Sequence, residues 1–350
     1  MKSARILKPN EPLSFEEIET PKPQGEQILV RVSAAGVCHS DLHLWEGGYH
    51  GPQGTFMKAE DRGVKFPLIP GHEVAGKIES LGKDAHGFKR GDSVLVYPWV
   101  GEGSCPACKA GDENLCDKPK SLGVYQNGGY AEYIIVPSAK YLVKLNKLKE
   151  SEAAPLACSG LTAYTAIKNS GAADGELLVI IGAGGLGMMA IQISKALAKP
   201  RVVVIDIDDK RLDEARKLGA DFVVNSTKED AVTAVKGLSE GLGADAVIDF
   251  VNSSKTSLSG ISMLRRRGRL VLVGLFGGEL QLNLALIPLR AFKIIGSYTG
   301  NYRDLVELVA LAEKGAFKNV VSQTFKLNEA NKALSELKGG RVLGRAIISP

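Results

Sequence analysis

The sequence predicts an α/β protein of two domains, one rich in β-strands and one built on a doubly wound parallel sheet. A chain of 350 residues exceeds the length of about 250–300 residues at which one hydrophobic core usually stops growing. Short strand-like runs separated by glycine and proline fill residues 1–155, whereas strand-like and helix-like segments alternate from 172 to 297. That alternation is typical of a parallel sheet with crossover helices. We therefore predict a first domain of residues 1–155, to which 298–350 return, and a second domain of residues 156–297.

Each predicted element follows from the periodicity of its apolar residues. The strand-like runs of the first domain are QILVRVSAAG, GKIES, DSVLVYP and AEYIIVP. The second domain alternates the strands ELLVIIGAG, RVVVIDID, DFVVN, DAVIDFV and RLVLVGLF with the helices GLGMMAIQISKALA, DKRLDEARKLG, EDAVTAVKGLSEG and KTSLSGISMLRRRG. The tail contains a helix, RDLVELVALAEKG, and ends in the strand-like GRAIISP.

The composition is that of an ordinary globular protein and argues against nucleic-acid and membrane partners. The net charge is only +5, and the densest basic run, RRRGR at 265–269, falls where a helix should end and where cations complement the helix dipole. A phosphate-binding patch is the alternative for that run. No apolar segment approaches the length of about 20 residues that a membrane-spanning helix needs, and the N-terminus lacks the apolar core of a signal peptide. We therefore expect a cytoplasmic protein.

A glycine-rich turn lies near the start of the second domain. In VIIGAGGLGMMAIQ, Gly182, Gly184 and Gly187 have G-x-G-x-x-G spacing between an apolar strand and an apolar helix. The first glycine permits a tight turn, the second lets backbone amides approach a pyrophosphate, and the third lets the helix pack closely on the sheet. The helix N-terminus, which includes Gly185 and Leu186, offers unpaired N–H groups to phosphates. A turn needed only for packing is the alternative.

The choice of cofactor depends on Asp206, which ends the next strand 19 residues after Gly187. A carboxylate at this position accepts hydrogen bonds from both ribose hydroxyls and repels a 2′-phosphate. This predicts NAD rather than NADP. Arg211 lies about one helical turn further along and weakens the exclusion of NADP.

One group of metal-ligand residues has diagnostic spacing. Three of the five cysteines fall within CPACKAGDENLC, which in a cytoplasmic chain indicates metal binding rather than disulfides. Glu102, Cys105, Cys108 and Cys116 have E-x2-C-x2-C-x7-C spacing, and two cysteines three apart in a glycine-rich turn can place both thiolates on one ion. This predicts a structural zinc site. Free thiols in so polar a loop, the alternative, would be exposed to oxidation.

The remaining cysteines, Cys38 and Cys158, are far apart in the sequence, and a buried free thiol is the alternative for Cys38. His72 and Glu73 open another strand in PGHEVAGKI. Spacing alone cannot join these residues. A Cys2His set with an open fourth position is nevertheless a known arrangement for catalytic zinc.

The motifs occur in the order of a known family. GVCHSDLH, PGHEVAG, the GEGSCPACKAGDENLC lobe, ACSGLTAY, GAGGLG and VVVID together resemble the zinc-containing medium-chain dehydrogenase/reductase family, the alcohol dehydrogenases, over essentially the whole chain. The resemblance is strongest toward the archaeal-type members, which also tolerate Glu at the first lobe position. It implies a GroES-like β-rich catalytic domain, a Rossmann domain and an active site between them.

The resemblance also implies two zinc sites with different roles. Cys38, His72 and Cys158 would bind the catalytic zinc, with Glu73 either as a fourth ligand or as a nearby carboxylate that exchanges with substrate. Bound zinc would act as a Lewis acid on the substrate oxygen, while hydride moves to the nicotinamide of the cofactor. The Glu102 lobe would bind the structural zinc.

A proton relay is implied in the segment CHSDLH. Ser40 would take the alcohol proton and pass it through the nicotinamide ribose to His43, a residue type that titrates near neutrality. A solvated His43 is the alternative. Asp41 would orient His72 through a hydrogen bond, or would simply form a turn.

Further contacts are implied for the cofactor and the substrate. His39 and Arg345 would lie near the pyrophosphate, and Thr162 beside the nicotinamide. The substrate cleft would be lined by a mainly apolar set, Trp99, Leu122, Val124, Leu275 and Tyr298. Apolar walls favour aliphatic or aromatic alcohols over polyols, since sugar hydroxyls need polar partners. Core packing explains several of these residues equally well.

Two further expectations concern loops. The long connection over residues 42–71 could carry a lid or a subunit contact. His50 and His86 lie in polar loops, and we expect both to be solvated.

These inferences predict an NAD-dependent zinc alcohol dehydrogenase that interconverts primary or secondary alcohols with aldehydes or ketones. The alternatives are another zinc member that acts on a sugar or polyol, and a zinc-independent enone or acyl-CoA reductase of the same fold. A cofactor-binding protein that has lost catalysis is a third. We expect a homo-oligomer, a tetramer in preference to a dimer.

Overall fold

The computed structural model describes residues 1–51 and 54–350, apart from the side chain of His50. Pro52 and Gln53 belong to the connection predicted to carry a lid or a subunit contact, and they lie outside the described residues. The side chain of His50, which was predicted to be solvated, lies outside them as well. The chain divides into two compact units. The first contains Met1–Tyr49, Met57–Leu161 and Gly300–Pro350, and the second contains His50–Phe56 and Thr162–Thr299.

The strands, in chain order, are β1 (Lys2–Arg5), β2 (Ser14–Glu17), β3 (Ile28–Val37), β4 (Gly48–His50), β5 (Phe56–Lys58), β6 (Glu73–Leu81), β7 (Ser93–Val96), β8 (Tyr133–Val136), β9 (Leu142–Lys144), β10 (Leu177–Ile181), β11 (Arg201–Asp206), β12 (Phe222–Asn225), β13 (Ala244–Asp249), β14 (Leu264–Leu272), β15 (Lys293–Gly296), β16 (Val321–Lys326) and β17 (Arg345–Ser349).

The α-helices are α1 (His39–Glu46), α2 (Pro106–Ala110), α3 (Glu150–Ala153), α4 (Ser159–Ser170), α5 (Gly185–Leu197), α6 (Asp209–Lys217), α7 (Ala231–Gly237), α8 (Ser254–Met263), α9 (Leu286–Arg290), α10 (Tyr302–Glu313) and α11 (Ala330–Lys338). Short 3₁₀ turns occur at Glu60–Arg62, Glu113–Leu115, Ala139–Tyr141, Ala154–Ala157 and Leu327–Glu329.

The main sheet of the first unit is built around β3. Its strand order is β16-β17-β3-β6-β7-β9, and β8 also pairs with β3. β3 is buried along almost its whole length, which explains why its sequence is nearly continuous apolar residues rather than an alternating pattern. The register sets Gly36 opposite Glu73 on β6 and Val37 opposite Ala346 on β17. The end of β3 therefore meets the start of β6 and the start of β17.

The second unit contains the parallel sheet that the alternating pattern predicts. Its strand order is β12-β11-β10-β13-β14-β15, and every neighbouring pair is parallel. The chain moves outward from β10 in one direction and then crosses back to β13, so the strand order reverses beside β10. In open α/β sheets ligands bind at the carboxyl edge beside such a switch point. The core of this unit is dominated by Val, Ile and Leu of the strands and their helices, among them Val179, Val203, Val247 and Leu270.

The RRRGR run lies in a strand, whereas the sequence predicted that it ends a helix. Helix α8 ends at Met263 and β14 begins at Leu264, so the arginines lie in a strand and not at a helix end. Arg265 pairs with Asp245, and Arg269 contacts Glu176 at 2.5 Å. The expectation of cations that complement a helix dipole was wrong, because these side chains neutralise carboxylates instead.

The structure also adds elements that periodicity did not predict, among them α1, α4, α11 and β16. Helix α1 falls within the GVCHSDLH segment and its following connection. Among the helices that the structure describes, none combines the length and the apolar character that crossing a bilayer requires.

Candidate functional site

The end of β3 leads directly into α1, which carries the residues predicted for proton transfer. Cys38 is the N-cap of this helix, and its backbone amide donates to Oδ2 of Asp41 at 2.9 Å. This bond is part of a capping box and satisfies an N–H group next to the helix start. Ser40 and His43 are three residues apart on α1 and therefore share one helix face. Both residues are half-buried.

Four residues from distant parts of the sequence meet in one buried cluster in the first unit. They are Cys38, His72, Glu73 and Cys158, whose candidate ligand atoms all lie within 4.8 Å of one another. The pairing of β3 with β6, with Gly36 opposite Glu73, brings the Cys38 and His72 segments together. Strand register therefore joins Cys38 to His72 and Glu73, and the turn that ends before Cys158 packs against β3 and β6.

The environment of His72 indicates a metal most clearly. Its Nδ1 lies 3.3 Å from Oδ1 of Asp41, a contact that is not aligned as a hydrogen bond. Its Nε2 is buried and has no hydrogen-bond partner in the described part of the chain. A buried polar atom without a partner is costly, and a metal ion would satisfy it. Burial alone lowers the pKa of His72, but the charges of Asp41 and Cys38 outweigh it and raise that pKa well above its usual value, so the site favours a cation.

Asp41 is fixed by three donors besides its contact with His72. They are the amide of Cys38, the amide of Gly71 at 3.2 Å and the hydroxyl of Tyr130 at 3.0 Å. The carboxylate is buried, so these donors replace its hydration. This arrangement can fix the orientation of the His72 ring, with Nδ1 toward Asp41 and Nε2 toward the cluster.

The two thiols of the cluster influence each other. A hydrogen bond between Cys158 and Cys38 holds the pKa of Cys38 well below its usual value and raises the pKa of Cys158 well above it. Neither thiol is in a disulfide. Two thiols, an imidazole and a nearby carboxylate are the donor set of a catalytic zinc site, and the residues present fit that metal.

Arg345, which the resemblance places near a pyrophosphate, has a different neighbour in the structure. Its guanidinium is buried and donates to Glu73 from Nε at 3.0 Å and also from Nη2. The amide of Ser159 donates to the same carboxylate at 3.1 Å. Burial raises the pKa of Glu73, and the positive charge of Arg345 opposes that effect. Arg345 is thus engaged with the metal cluster, a pairing that the sequence did not indicate.

The second metal-ligand cluster lies in the loop around α2. Glu102, Cys105, Cys108 and Cys116 also place their candidate ligand atoms within 4.8 Å of one another. Cys105 is the N-cap of α2, and the amide of Glu102 donates to Sγ of Cys116 at 3.3 Å. Three thiols and a carboxylate that converge in this way fit a closed tetrahedral zinc site.

The carboxylate of Glu102 is prepared for a ligand role by its own loop. It accepts from the hydroxyl of Ser104 at 2.6 Å, from the Ser104 amide at 2.9 Å and from the Cys105 amide. These bonds, the Ser104 hydroxyl foremost, lower the pKa of Glu102 to about 2. Glu102 is therefore ionised at neutral pH, as a metal ligand must be.

Glu113 fastens this lobe to the rest of the first unit. Its carboxylate accepts from the amide of Gly101 at 2.8 Å, from the hydroxyl of Tyr141 at 2.7 Å and from Nζ of Lys140 at 2.9 Å. Gly101 has no room for a side chain, because a Cβ there would lie 2.4 Å from Sγ of Cys108. The approach of this backbone to the cluster therefore depends on a glycine and on Glu113.

The glycine-rich turn joins β10 to α5 at the carboxyl edge of the parallel sheet. Gly182 has a φ of +96°, a conformation that favours glycine. A Cβ on Gly187 would lie 1.9 Å from the carbonyl oxygen of Gly182, so the helix could not approach the strand as it does. Space is open around Gly184, the N-cap of α5, and the first helical N–H groups follow at Gly185 and Leu186. This is the geometry of a phosphate cradle.

Asp206 lies beside this turn, at the end of the neighbouring strand β11. Its Oδ2 accepts from the amide of Ala183 at 2.6 Å, and its Oδ1 accepts from the amides of Ile207 and Asp208 at 2.7 and 3.0 Å. The carboxylate is therefore fixed at the same edge of the sheet as the glycines. Arg211 follows in the first turn of α6 and is half-buried.

The residues predicted for the substrate cleft fall into two groups. In the first unit Trp99 and Leu122 are buried and Val124 is half-buried. The ring of Trp99 lies 5.4 Å from the ring of His72, and its Nε1 donates to the carbonyl of Ala157 at 3.2 Å. Trp99 therefore forms an apolar wall next to the metal cluster.

The remaining predicted contact residues differ in their exposure to solvent. In the second unit Leu275 and Tyr298 are about half exposed, at 49% and 47%. Thr162, at the start of the second unit, is buried within α4. His39 is exposed on the first turn of α1, and His86 is exposed as expected.

Known families match both parts of this arrangement. A model described as an alcohol dehydrogenase GroES-like domain matches residues 24–147, and one described as a zinc-binding dehydrogenase matches residues 185–314. An NAD-dependent alcohol dehydrogenase of Sulfurisphaera tokodaii is 44% identical over 351 residues, which covers 100% of each chain. The chain belongs to the zinc-containing alcohol dehydrogenase family of archaeal type.

Two further relatives bear on the fold and on the range of substrates within this alcohol dehydrogenase family. The crystal structure of the alcohol dehydrogenase from Aeropyrum pernix has a TM-score of 0.90 and 37% identity and covers 100% of each chain. A protein named D-arabinose 1-dehydrogenase (NADP(+)), from Saccharolobus solfataricus, is 38% identical and covers 100% of this chain and 97% of that one. The predicted GroES-like and Rossmann domains are thereby confirmed.

Several contacts around the alcohol dehydrogenase site were not predicted from the sequence. Tyr130 and Gly71 hold Asp41, and Glu113 holds the structural lobe; Arg345 was predicted, but its contact with Glu73 was not. Each acts across a long stretch of chain, so no local pattern reveals the contact. A glycine directly before Glu102 is the one local signal, since close backbone approach to a metal lobe requires it.

Proposed function

We propose that this alcohol dehydrogenase oxidises small primary and secondary alcohols to aldehydes and ketones, reversibly, with NAD as the hydride acceptor. The observation that carries the proposal is the buried Nε2 of His72, which has no protein partner in the described residues and adjoins Cys38 and Cys158. An orphaned imidazole nitrogen beside two thiols is what a catalytic metal requires.

The residues of the buried cluster would hold the metal and set the net charge of the site. Cys38, His72 and Cys158 are the ligands, and Asp41 orients His72. Glu73 is held by Arg345 near the same position and can exchange with the substrate. Zinc, when bound here, supplies a Lewis acid that stabilises negative charge on the substrate oxygen.

Ser40 and His43 carry the proton. Ser40 lies two residues after Cys38, and we propose that its Oγ accepts the proton of the substrate hydroxyl while it releases its own hydroxyl proton toward His43. His43, one helical turn further and half-buried, passes that proton toward water. The separation of an inner and an outer group lets a proton leave without water entering the reaction centre.

The glycine-rich turn and Asp206 bind the cofactor. The N–H groups at the start of α5 hold the pyrophosphate, with Gly182, Gly184 and Gly187 giving the close approach. The carboxylate of Asp206 accepts from the ribose hydroxyls. NAD, when bound, supplies the hydride chemistry, and Thr162 and His39 are proposed as further cofactor contacts.

The substrate is an apolar alcohol in preference to a sugar. Trp99 and Leu122 are buried apolar side chains of the first unit, and Trp99 lies next to His72. A sugar hydroxyl against such a wall would lose its hydrogen bonds. Leu275, Tyr298 and Val124 are proposed as further lining residues. Oxidation of a sugar such as D-arabinose is the second candidate, because a relative at 38% identity bears that name.

A substrate panel tests the proposal. The purified, zinc-replete protein is assayed with primary and secondary aliphatic alcohols, benzylic alcohols, their carbonyl products and D-arabinose, each with both NAD and NADP. We expect turnover of apolar alcohols with NAD. Faster turnover of D-arabinose with NADP would favour the second candidate, and no turnover of any member would contradict both.

We further propose that the enzyme is a cytoplasmic homo-oligomer, a tetramer in preference to a dimer. Strand β15 ends the parallel sheet of the second unit, and its Ile294 is 39% exposed. Nearby in the sequence Leu284 and Leu289 are also exposed. An open sheet edge with apolar neighbours favours pairing with a second copy. Ligand thiols need a reducing compartment, which favours the cytoplasm. Light scattering at several concentrations measures the assembly.

A further inference from the structure

An aromatic ring lies against the outer residue of the proposed proton path. The rings of Tyr49 and His43 have centroids 4.6 Å apart and an interplanar angle of 36°. Tyr49 follows α1 by three residues, and His43 lies in the last turn of that helix. Offset or tilted ring pairs at this distance are attractive beyond their buried area.

The turn after α1 places Tyr49 back over the helix. Gly47, directly after the helix, has a φ of +87°, and its amide donates to the carbonyls of His43 and Leu44. A Cβ on Gly47 would lie 2.8 Å from Cβ of Pro9, so a larger residue would displace the turn. The chain is thereby reversed within two residues, and Tyr49 returns to the level of His43.

A second contact holds Tyr49 itself. The guanidinium carbon of Arg62 lies 5.3 Å from the centre of the Tyr49 ring, within the range of a cation–π interaction. The amide of Ala59 donates to the carbonyl of Gly47 at 2.8 Å, which ties the segment carrying Arg62 to the turn before Tyr49. His43, Tyr49 and Arg62 therefore form a connected stack within the first unit.

We propose that Tyr49 is a positioning residue for proton transfer, which holds the imidazole of His43 in one orientation, and that Arg62 supports it. A half-buried histidine in the last turn of a short helix can adopt several ring orientations, and a relay needs one of them. The stack restricts this freedom through the ring contact with Tyr49, which Arg62 supports through its own contact with that ring. The inference rests on the proposed role of His43.

The experiment compares Tyr49→Leu and Tyr49→Phe in the metal-replete enzyme, alone and combined with His43→Gln. Steady-state oxidation of one good alcohol with NAD is measured at neutral pH, with and without added imidazole. Tyr49→Leu keeps apolar bulk but removes the ring, and its fold is checked by circular dichroism and thermal unfolding. Arg62→Gln is the second variant, at a residue that is more exposed than Tyr49.

We expect Tyr49→Leu to lower kcat by about 2- to 10-fold, the factor that the loss of one aromatic pair corresponds to, and added imidazole to restore most of it. Tyr49→Phe should retain the parent kcat, because the ring remains. In the His43→Gln background Tyr49→Leu should cause no further loss of kcat, because the residue that it positions is gone. Arg62→Gln should lower kcat less than Tyr49→Leu.

The outcomes separate this inference from the proposed relay. If His43→Gln lowers kcat while Tyr49→Leu leaves it unchanged, the relay stands and the role of Tyr49 is refuted. An equal loss from Tyr49→Leu with and without His43 would also refute it, because the effect would not pass through His43. If His43→Gln matches the parent, the relay itself fails and the inference fails with it.

Discussion

Nδ1 of His72 lies 3.3 Å from Oδ1 of Asp41, and both side chains are fully buried. The amides of Cys38 and Gly71 and the hydroxyl of Tyr130 all donate to the same carboxylate. Asp41 is therefore held in place beside His72, and we expect it to keep Nε2 directed into the cluster. The orientation of the metal-binding nitrogen thus depends on residues that do not bind the metal.

Asp41→Asn should weaken zinc binding at the catalytic site by about 10- to 100-fold, the range seen when such supporting groups are lost. An amide removes the negative charge and offers a donor where Nδ1–H needs an acceptor. Chelator competition followed by metal analysis measures the change. Tyr130→Phe should cause a smaller loss. Asp245→Asn, at a buried aspartate of the second unit, is the control and should leave zinc retention unchanged.

Two zinc ions per chain are expected, one in each ligand cluster. Cys38→Ser should abolish turnover and remove one zinc while the fold persists. Cys108→Ser should remove the other zinc and mainly lower the thermal unfolding midpoint, because a structural metal contributes directly to folding. Metal analysis, activity and thermal unfolding of the two variants are compared with the parent. One zinc or none in the fully loaded parent would contradict the assignment.

How far the sequence predicted the site depends on whether the contacts are local. Glu102, Cys105, Cys108 and Cys116 lie within 15 residues, so their spacing alone predicts a common ion. The sequence also predicts that the glycine-rich turn and Asp206 lie close together, because a parallel sheet places the carboxyl ends of neighbouring strands at one edge.

The cluster of Cys38, His72, Glu73 and Cys158 could not be predicted from local spacing. It forms because Gly36 pairs with Glu73 and because the turn before Cys158 packs against β3 and β6, while the pairing of Val37 with Ala346 brings Arg345 to Glu73. Strand register over such separations has no local sequence signal. Only the family resemblance joined Cys38 to His72. Even so, it did not predict that Arg345 would contact Glu73, since β17 had no assigned place in the sheet.

Asp206 should make the enzyme prefer NAD. Asp206→Ser removes the charge that repels a 2′-phosphate, so the ratio of kcat/KM for NADP to that for NAD should rise by at least about tenfold, or about 1.4 kcal/mol. The carboxylate also accepts from the Ala183 amide, so some loss with both cofactors is expected. Arg211→Gln is the matched control and should lower the ratio. A parent enzyme that already prefers NADP would contradict this account.

Ser40 and His43 should differ in how strongly they affect the rate. Ser40→Ala should be nearly inactive, since loss of a positioned general base typically costs about 10²- to 10⁴-fold. His43→Gln should be slower at neutral pH and recover in part at alkaline pH or in concentrated buffer, because water can replace an outer relay group. Rates across pH for both variants test this. A His43→Gln enzyme equal to the parent at every pH would exclude His43.

Glu113 should contribute stability that depends on pH. Burial raises its pKa, but the bonds from Tyr141, Gly101 and Lys140 outweigh that effect and hold the pKa below its usual value of 4.5. A carboxyl group with a lowered folded-state pKa stabilises the fold fully above its unfolded-state pKa. That stability is lost as the pH falls through the folded-state pKa.

The free energy of unfolding should therefore decline as the pH falls below about 5, and Glu113→Gln should both lower stability near neutrality and flatten this acid decline. We expect the loss at neutral pH to be about 1–3 kcal/mol, because buried donors lose a charged acceptor. Unfolding in denaturant is measured from pH 7 down to about pH 3 on parent and variant. Glu229→Gln, at an exposed carboxylate, is the control and should change neither quantity. If Glu113→Gln keeps the acid decline of the parent, then Glu113 does not fasten the metal lobe through its charge.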